Sequence, residues 1–236
     1  NFSDWWDNQL LNSNTITHYR TEGNFLEFTR ANAAFIATTI AHSEQQEFLI
    51  RGAVGSGKST GLPSNLCRKG RVLLIEPTRP LVDNVVKNLR GEPFFLKPSM
   101  CMRGLTVMGS DPITVMTSGY ALHFFANNVE QLKTYSFIMF DECHVLDSCA
   151  MAFRCLLHEH AFSGKILKTS ATPPGMETEL KTQWHVEVRK EESLSFEQFV
   201  RGQGTGCNYD VIAKCANILV YVASYNDVAN LSKMLT

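Results

Sequence analysis

No Cys-x-x-Cys pair occurs in the 236 residues, although seven cysteines are present, at positions 67, 101, 143, 149, 155, 207 and 215. An odd, scattered set of this kind reads as free thiols in a reducing compartment, not as a disulfide framework. The densest group, Cys143, His144, Cys149, Cys155, His158 and His160, matches no usual zinc-ligand spacing, so ordinary buried cysteines on a helix are expected there and no metal. No run approaches the roughly 18 uninterrupted apolar residues of a membrane span. The first residues, Asn1 onward with Trp5 and Trp6, lack the charged-then-apolar pattern of a secretory signal, and a soluble protein without a membrane span is expected. An initiator methionine is missing too, which suggests a piece of something longer. Charge of one sign is not in excess: 22 basic and 23 acidic residues leave a formal net charge of −1, so any nucleic-acid site would have to be local. Internal repeats and low-complexity tracts are absent.

What is present is a share of 44% hydrophobic residues, enough for a core, in a chain longer than one ordinary domain and shorter than two large ones. Short apolar runs recur at Phe48–Ile50, Val72–Ile75, Ile113–Met116, Phe137–Phe140 and Lys165–Lys168, each followed by a turn and then helix-like sequence. Such runs fit buried parallel strands. Helices are expected over Leu81–Leu89, Gly119–Asn127 and Ala150–His158, and one more over Phe28–Ala41, where Phe35 and Ile36 suit packing against a sheet. Alternating strands and helices predict an α/β domain with a mainly parallel sheet flanked by helices. Ahead of it, Phe2, Trp5, Trp6 and Leu10 fall on one helical face; they either cap this domain's own core or form a contact surface for another chain. Past Lys168 the pattern loosens, and Gly202-Gln203-Gly204-Thr205-Gly206 reads as a flexible hinge. The run Ile218–Val222 and a helix-like tail over Tyr225–Leu235 look like the opening of a second α/β domain. The expected division is an N-terminal extension over 1–27, a first domain over 28–190, a linker over 191–210 and the truncated start of a second domain over 211–236.

The chemistry concentrates in a few places. Gly52-Ala53-Val54-Gly55-Ser56-Gly57-Lys58-Ser59 satisfies G-x-x-x-x-G-K-[ST], directly after an apolar strand, where that motif belongs. Glycines let successive backbone N–H groups converge on phosphate oxygens, and the following helix N-terminus, around Thr60, adds its positive end. Lys58 reaches the β- and γ-phosphates, and Ser59 offers a hydroxyl to Mg²⁺ accompanying ATP or another NTP. A dinucleotide site fits worse, because the run reads Gly55-x-Gly57-x-x-Thr60 and keeps the lysine. Asp141 and Glu142 follow the Phe137–Phe140 strand, at the carboxyl end where the crevice of an open sheet lies. Asp141 would hold Mg²⁺, directly or through water, and Glu142 would orient and deprotonate an attacking water. Taken alone, two adjacent carboxylates after a strand can also be an exposed turn.

The tetrapeptide Asp141-Glu142-Cys143-His144 is followed and preceded by clusters in the order that superfamily-two helicases show. Pro77-Thr78-Arg79-Pro80, Thr117-Ser118-Gly119 and Ser170-Ala171-Thr172 resemble that family's motifs Ia, Ib and III. More closely still, GAVGSGKSTGLP (Gly52–Pro63), EPTRP (Glu76–Pro80), MTSGYALHFFANN, FDECHV, MAFRCLLHEH and KTSATPPG resemble the potyviral cylindrical inclusion helicase, as do TEGNFLEFTR and NILVYVASYNDV near the two ends. The likeness runs from about Thr21 to Leu235.

That resemblance implies two RecA-like domains sandwiching the nucleotide, with RNA crossing their tops, and an RNA-stimulated NTPase that unwinds duplex RNA in the cytoplasm of an infected plant cell. It implies RNA-phosphate contacts from Thr78, Arg79, Thr117, Ser118 and Gly119, which are sequence-blind as a motor requires. Ser170, Ala171 and Thr172, with His144, would couple the pocket to the RNA groove; the plain alternatives are a polar turn ahead of Pro173-Pro174 and a packing histidine. It also implies self-association into cytoplasmic inclusions, roles in viral replication and movement, and other viral and host protein partners. The family's late motif Q-R-x-G-R-x-G-R, which supplies arginines from the second domain, has no counterpart here; Arg201-Gly202-Gln203-Gly204 resembles it only superficially. A fragment that hydrolyses nucleotide weakly is therefore expected. The rival is a non-helicase P-loop NTPase or kinase, which would share Lys58 and Ser59 but would not explain Asp-Glu-Cys-His.

Overall fold

The computed structural model describes residues 25–145, 147–172, 194–210, 221–222 and 224–235. The chain divides into two compact units, Asn1–Glu179 and Leu180–Thr236.

The first unit is built on an eight-stranded sheet: β1 (Phe25–Phe28), β2 (Glu47–Gly52), β3 (Val72–Glu76), β4 (Ser99–Met102), β5 (Leu105–Val107), β6 (Ile113–Thr117), β7 (Phe137–Phe140) and β8 (Lys165–Ser170). Their spatial order is β1-β2-β8-β7-β3-β6-β4-β5. Every pairing is parallel except β4 with β5, a hairpin closed by Arg103 and Gly104. The helices are α1 (Ala33–His42), α2 (Lys58–Leu66), α3 (Arg79–Arg90), α4 (Ser118–Asn127) and α5 (Ser148–Glu159), with a 3₁₀ turn at Val129–Thr134.

The five predicted strands are all present, because a parallel strand covered on both faces favours an apolar run and these segments supply one, shortest in β8, where only Ile166 and Leu167 stand between Lys165 and the buried Lys168. Within each strand the side chains alternate between two cores. Val72, Leu74, Val115, Phe137, Met139 and Leu167 join one core with α1, α2 and α3. Leu73, Ile75, Met116, Ile138, Phe140 and Ile166 join the other with α4 and α5. On the second face Phe125 stacks on Phe153 with centroids 5.3 Å apart, and Tyr135 meets Phe125 edge-on at 6.0 Å.

Three strands were not expected. Phe25–Phe28 pairs in parallel with β2, so Phe28 belongs to a strand and the first helix begins only at Ala33, after a turn in which Asn32 Nδ2 donates to the Glu27 carbonyl at 2.9 Å. Ile36, Ala37 and Ile40 form the buried stripe of that helix, while Phe35 is 73% exposed and does not face the sheet. β4 reads Ser-Met-Cys-Met and carries no β-branched residue, while β5, Leu-Thr-Val, is only three mostly exposed residues long, too short a run to stand out.

In the second unit, α6 (Phe196–Arg201) starts with a capping box between Ser195 and Gln198. The glycine-rich run after it folds into successive turns: Gln203 Nε2 donates to the Phe199 and Tyr209 carbonyls, and Gly206 N–H to Asp210 Oδ2 at 2.7 Å. A helix α7 spans Tyr225–Leu235, as the sequence predicts. The N-terminal aromatics Phe2, Trp5 and Trp6 with Leu10, the Pro173-Pro174 pair and the run Ile218–Val220 lie outside the described residues.

The buried residue Leu74 sits at the centre of the sheet, so Leu74→Ala should cost about 2–5 kcal/mol in urea denaturation. Phe35→Ala, on the solvent side of α1, should change stability by no more than about 0.5 kcal/mol.

Candidate nucleotide-binding site

β2 ends at Gly52 and α2 begins at Lys58, and the five residues between them wrap around the amino end of α2. Gly55 and Gly57 take positive φ values of 74° and 83°, which L side chains adopt at a cost. A Cβ at Gly52 would stand 2.9 Å from Ser56 Oγ and 3.3 Å from Lys58 Cβ, so both side chains would have to shift to admit one. The loop thus turns its backbone inward and points the helix N-terminus, with its unpaired N–H groups, at one spot. Val54, at the tip, is 88% exposed, and Ser56 Oγ is buried without a hydrogen-bond partner. A phosphate oxygen would supply that partner.

The loop opens into a cavity of about 630 Å³ whose walls include Arg30, Gly55, Lys58, Thr60, Asp141 and Glu142. Lys58 is 5% exposed. A buried ammonium requires a partner, and Lys58 Nζ pairs with Glu142 Oε1 at 3.2 Å. The carboxylates come from β7, two strands away from β2 with β8 between them. Asp141 lies one step beyond Phe140, on the sheet face that carries Phe137 and Met139. Its Oδ1 accepts from Thr169 Oγ1 of β8 at 2.5 Å and from the Glu142 N–H at 2.9 Å. Glu142 itself has φ 48°, a left-handed conformation that costs a non-glycine residue on the order of 1–3 kcal/mol. The Cys143 N–H to Thr169 carbonyl bond (2.9 Å) and the Val145 N–H to Glu142 carbonyl bond (2.9 Å) hold it there. This strained turn lets Glu142 reach Lys58 with one oxygen and His144 Nδ1 (3.3 Å) with the other.

The donor set fits a nucleotide phosphate with a divalent cation: an inward backbone cradle, a buried ammonium, the Ser59 hydroxyl and the Asp141 carboxylate around one cavity. Among the described residues no three His, Cys, Asp or Glu side chains converge as a ready-made metal site. A cation there would take most of its ligands from phosphate and water, as Mg²⁺ usually does. Burial pushes the Cys143 thiol up to about 12, which leaves it protonated and unreactive. The six cysteines among the described residues are free.

The other expected site residues emerge along the same carboxyl edge. Thr78 and Arg79 start α3 beyond β3 and are exposed. Thr117, Ser118 and Gly119 start α4 beyond the neighbouring β6; Thr117 Oγ1 accepts the Tyr120 N–H at 3.4 Å, Ser118 is 3% exposed and Gly119 is open to solvent. The register pairs Glu76 with Thr117, which sets the two helix N-termini side by side. Ser170 is fully buried at the end of β8, beside Arg51 of β2 in register. Its hydroxyl lies 2.7 Å from His144 Nδ1 and accepts the Thr172 N–H at 3.0 Å. A continuous chain therefore runs Lys58, Glu142, His144, Ser170, Thr172, with Ala171 as the spacer.

Two residues of the site were not singled out from the sequence. Arg30, in the turn between β1 and α1, donates to the Gly55 carbonyl at 3.4 Å and lines the cavity mouth. Glu76, the last residue of β3, is 1% exposed at the cavity floor, and neither carboxyl oxygen makes a well-formed hydrogen bond. Burial first, then the neighbouring Asp141 and Glu142 carboxylates, push Glu76 up to about 9.

A parallel sheet with a glycine-rich phosphate loop after one strand and an acidic pair after another, at its carboxyl edge, defines a nucleotide-binding domain of the RecA-like P-loop class. The chain belongs to the DEAD/DEAH box helicase family, whose model matches residues 29–180. It is 65% identical over 235 residues to the genome polyprotein of Plum pox potyvirus (isolate NAT), covering 100% of this chain and 8% of that polyprotein. It is 62% identical to the genome polyprotein of Bean yellow mosaic virus, covering 99% of this chain and 8% of that one. Among solved structures, the DEAH/RHA helicase HrpB of Escherichia coli superimposes with a TM-score of 0.54 at 25% identity, over 60% of this chain and 19% of HrpB.

Two measurements probe this geometry. Ser170→Ala removes the acceptor of the Thr172 N–H and the partner of His144, and should lower stability by about 0.5–1.5 kcal/mol in chemical denaturation. Because the Glu76 carboxyl binds its proton more tightly folded than unfolded, its contribution to stability is fully present below about pH 4.5 and is lost as pH rises towards about 9. Without added metal or nucleotide, Glu76→Gln should therefore gain on the wild type across that window, by up to about 1.4 kcal/mol per pH unit.

Proposed function

We propose that this chain is the nucleotide-binding front half of an NTP-driven RNA helicase of a plant RNA virus, acting in the host cytoplasm. The observation that carries this reading is the buried Lys58 paired at 3.2 Å with Glu142 across a phosphate cradle. The lysine is held where β- and γ-phosphates would lie, and the carboxylate is held beside it by a strained turn. On binding ATP, Lys58 would transfer from Glu142 to the phosphates. Glu142, released, would accept a proton from the attacking water, and His144 on its other oxygen would register the change and pass it to Ser170 and Thr172. Ser59 and Asp141 would hold Mg²⁺, which when bound neutralises charge on the phosphates.

RNA phosphates would lie across the N-termini of α3 and α4, met by the exposed Thr78 and Arg79, the backbone of Ser118 and Gly119, and the edge of Thr117. With Ser118 buried, its backbone N–H group at the start of α4 is the part suited to a phosphate. Assembly into cytoplasmic inclusions, roles in viral replication and movement, and viral or host protein partners belong to the same reading by likeness to the potyviral cylindrical inclusion helicase. Self-association would be sought first at Phe2, Trp5, Trp6 and Leu10. The Q-R-x-G-R-x-G-R motif is not among the 236 residues, so turnover by this chain alone should be slow.

The test is phosphate release from ATP with and without single-stranded RNA, by this chain and by a form extended through a complete second domain. The extended form should be faster by about 10³–10⁵-fold and stimulated by RNA. Lys58→Ala and Glu142→Gln should each remove about 10²-fold or more of that rate. Equal, RNA-independent rates in the two forms, or transfer of phosphate to a small acceptor, would point to a P-loop kinase or another NTPase.

A further inference from the structure

Glu76 is the one buried acidic side chain at the nucleotide cavity that the mechanism above leaves unused; Glu92, at its edge, is exposed. It ends β3, in register with Thr117 of β6, and the Asp141 N–H donates to the Ile75 carbonyl at 3.0 Å. Alternation along β3 sends Glu76 to the same sheet face as Leu74 and Val72, which is also the face of Asp141 beyond Met139. Strands lie about 4.8 Å apart, so the two carboxyls are immediate neighbours under the phosphate loop. The cations near them are already engaged: Lys58 with Glu142, and Arg30 at the rim with the Gly55 carbonyl. Nothing in the fold of β3 requires an acid here, since the four preceding positions are Val, Leu, Leu and Ile. A buried carboxyl without a hydrogen-bond partner destabilises the domain, and such a cost is borne where a ligand supplies the missing partner.

We propose that Glu76 is a positioning residue for the divalent cation of the bound nucleotide, accepting hydrogen bonds from water that the cation carries while Asp141 stands nearer to it. This rests on the nucleotide-site reading given above. Three features support an indirect role. The described residues include no convergent three-ligand metal cluster. Mg²⁺ retains several waters and takes few protein ligands. Carboxylates that orient a metal's bound water typically govern about 10–100-fold of its affinity. The cation would also relieve the repulsion between the two neighbouring carboxyls, so the same residue that weakens the domain without ligand would strengthen its grip on the metal–nucleotide complex.

The experiment compares the 236-residue chain with its Glu76→Gln and Glu76→Met variants, the second filling a similar volume with no charge. Affinity for a fluorescent ATP analogue is measured in excess chelator and over a Mg²⁺ titration, together with the thermal midpoint in chelator. The wild type should tighten with Mg²⁺; both variants should lose about 10-fold or more of that tightening, while their chelator affinity is unchanged or improved and their thermal midpoints rise. Raised midpoints with the full Mg²⁺ effect retained would make Glu76 a buried structural carboxyl only and overturn the proposal. Lys58→Ala is the control for the site itself. If the wild type bound nucleotide no better than Lys58→Ala in chelator and in Mg²⁺ alike, the nucleotide-site reading would fall, and this proposal with it.

Discussion

An ammonium buried at the start of a helix must be matched by negative charge, and the arrangement of this domain follows from that need. Lys58 is fixed by the turn that carries β2 into α2, so its partner has to arrive from another strand at the same sheet edge. Glu142 does so from β7, across the intervening β8, and its reach depends on the left-handed backbone at a non-glycine residue. That backbone depends in turn on Thr169, whose hydroxyl holds Asp141 and whose carbonyl holds Cys143. Local strain, a buried charge and strand order are thus one constraint.

The same constraint explains why the site is poised. Glu142 divides its two oxygens between Lys58 and His144, and His144 shares its Nδ1 with Ser170. A phosphate that drew Lys58 away would alter both oxygens' surroundings at once. Ser170 sits at the end of β8, next to the phosphate-loop strand in register, so the change would be passed to the end of β8 and to Thr172.

Much of this was legible in the sequence, for identifiable reasons. Buried parallel strands such as Val72–Glu76 and Phe137–Phe140 announce themselves as apolar runs, and the phosphate loop carries its glycines where backbone φ is positive. β1 was hidden because Phe25-Leu-Glu-Phe is short and abuts an alanine-rich helix that draws Phe28 into its pattern. β4 was hidden because Met and Cys give no strand preference, and burial there comes from tertiary contact. Arg30 was invisible because its place over Gly55 is made by a turn between distant elements. Glu76 carried a signal that went unused: a single acid closing the run Val-Leu-Leu-Ile, in a strand buried at every position.

Binding of the nucleotide should make Lys58 exchange Glu142 for phosphate oxygens. A crystal structure of this chain with Mg²⁺ and a non-hydrolysable ATP analogue tests it most directly. The triphosphate should be seated against Gly52–Ser59, with Lys58 Nζ moved onto the phosphate oxygens and away from Glu142. A nucleotide bound elsewhere, or one bound with the Lys58–Glu142 pair still closed, would contradict it.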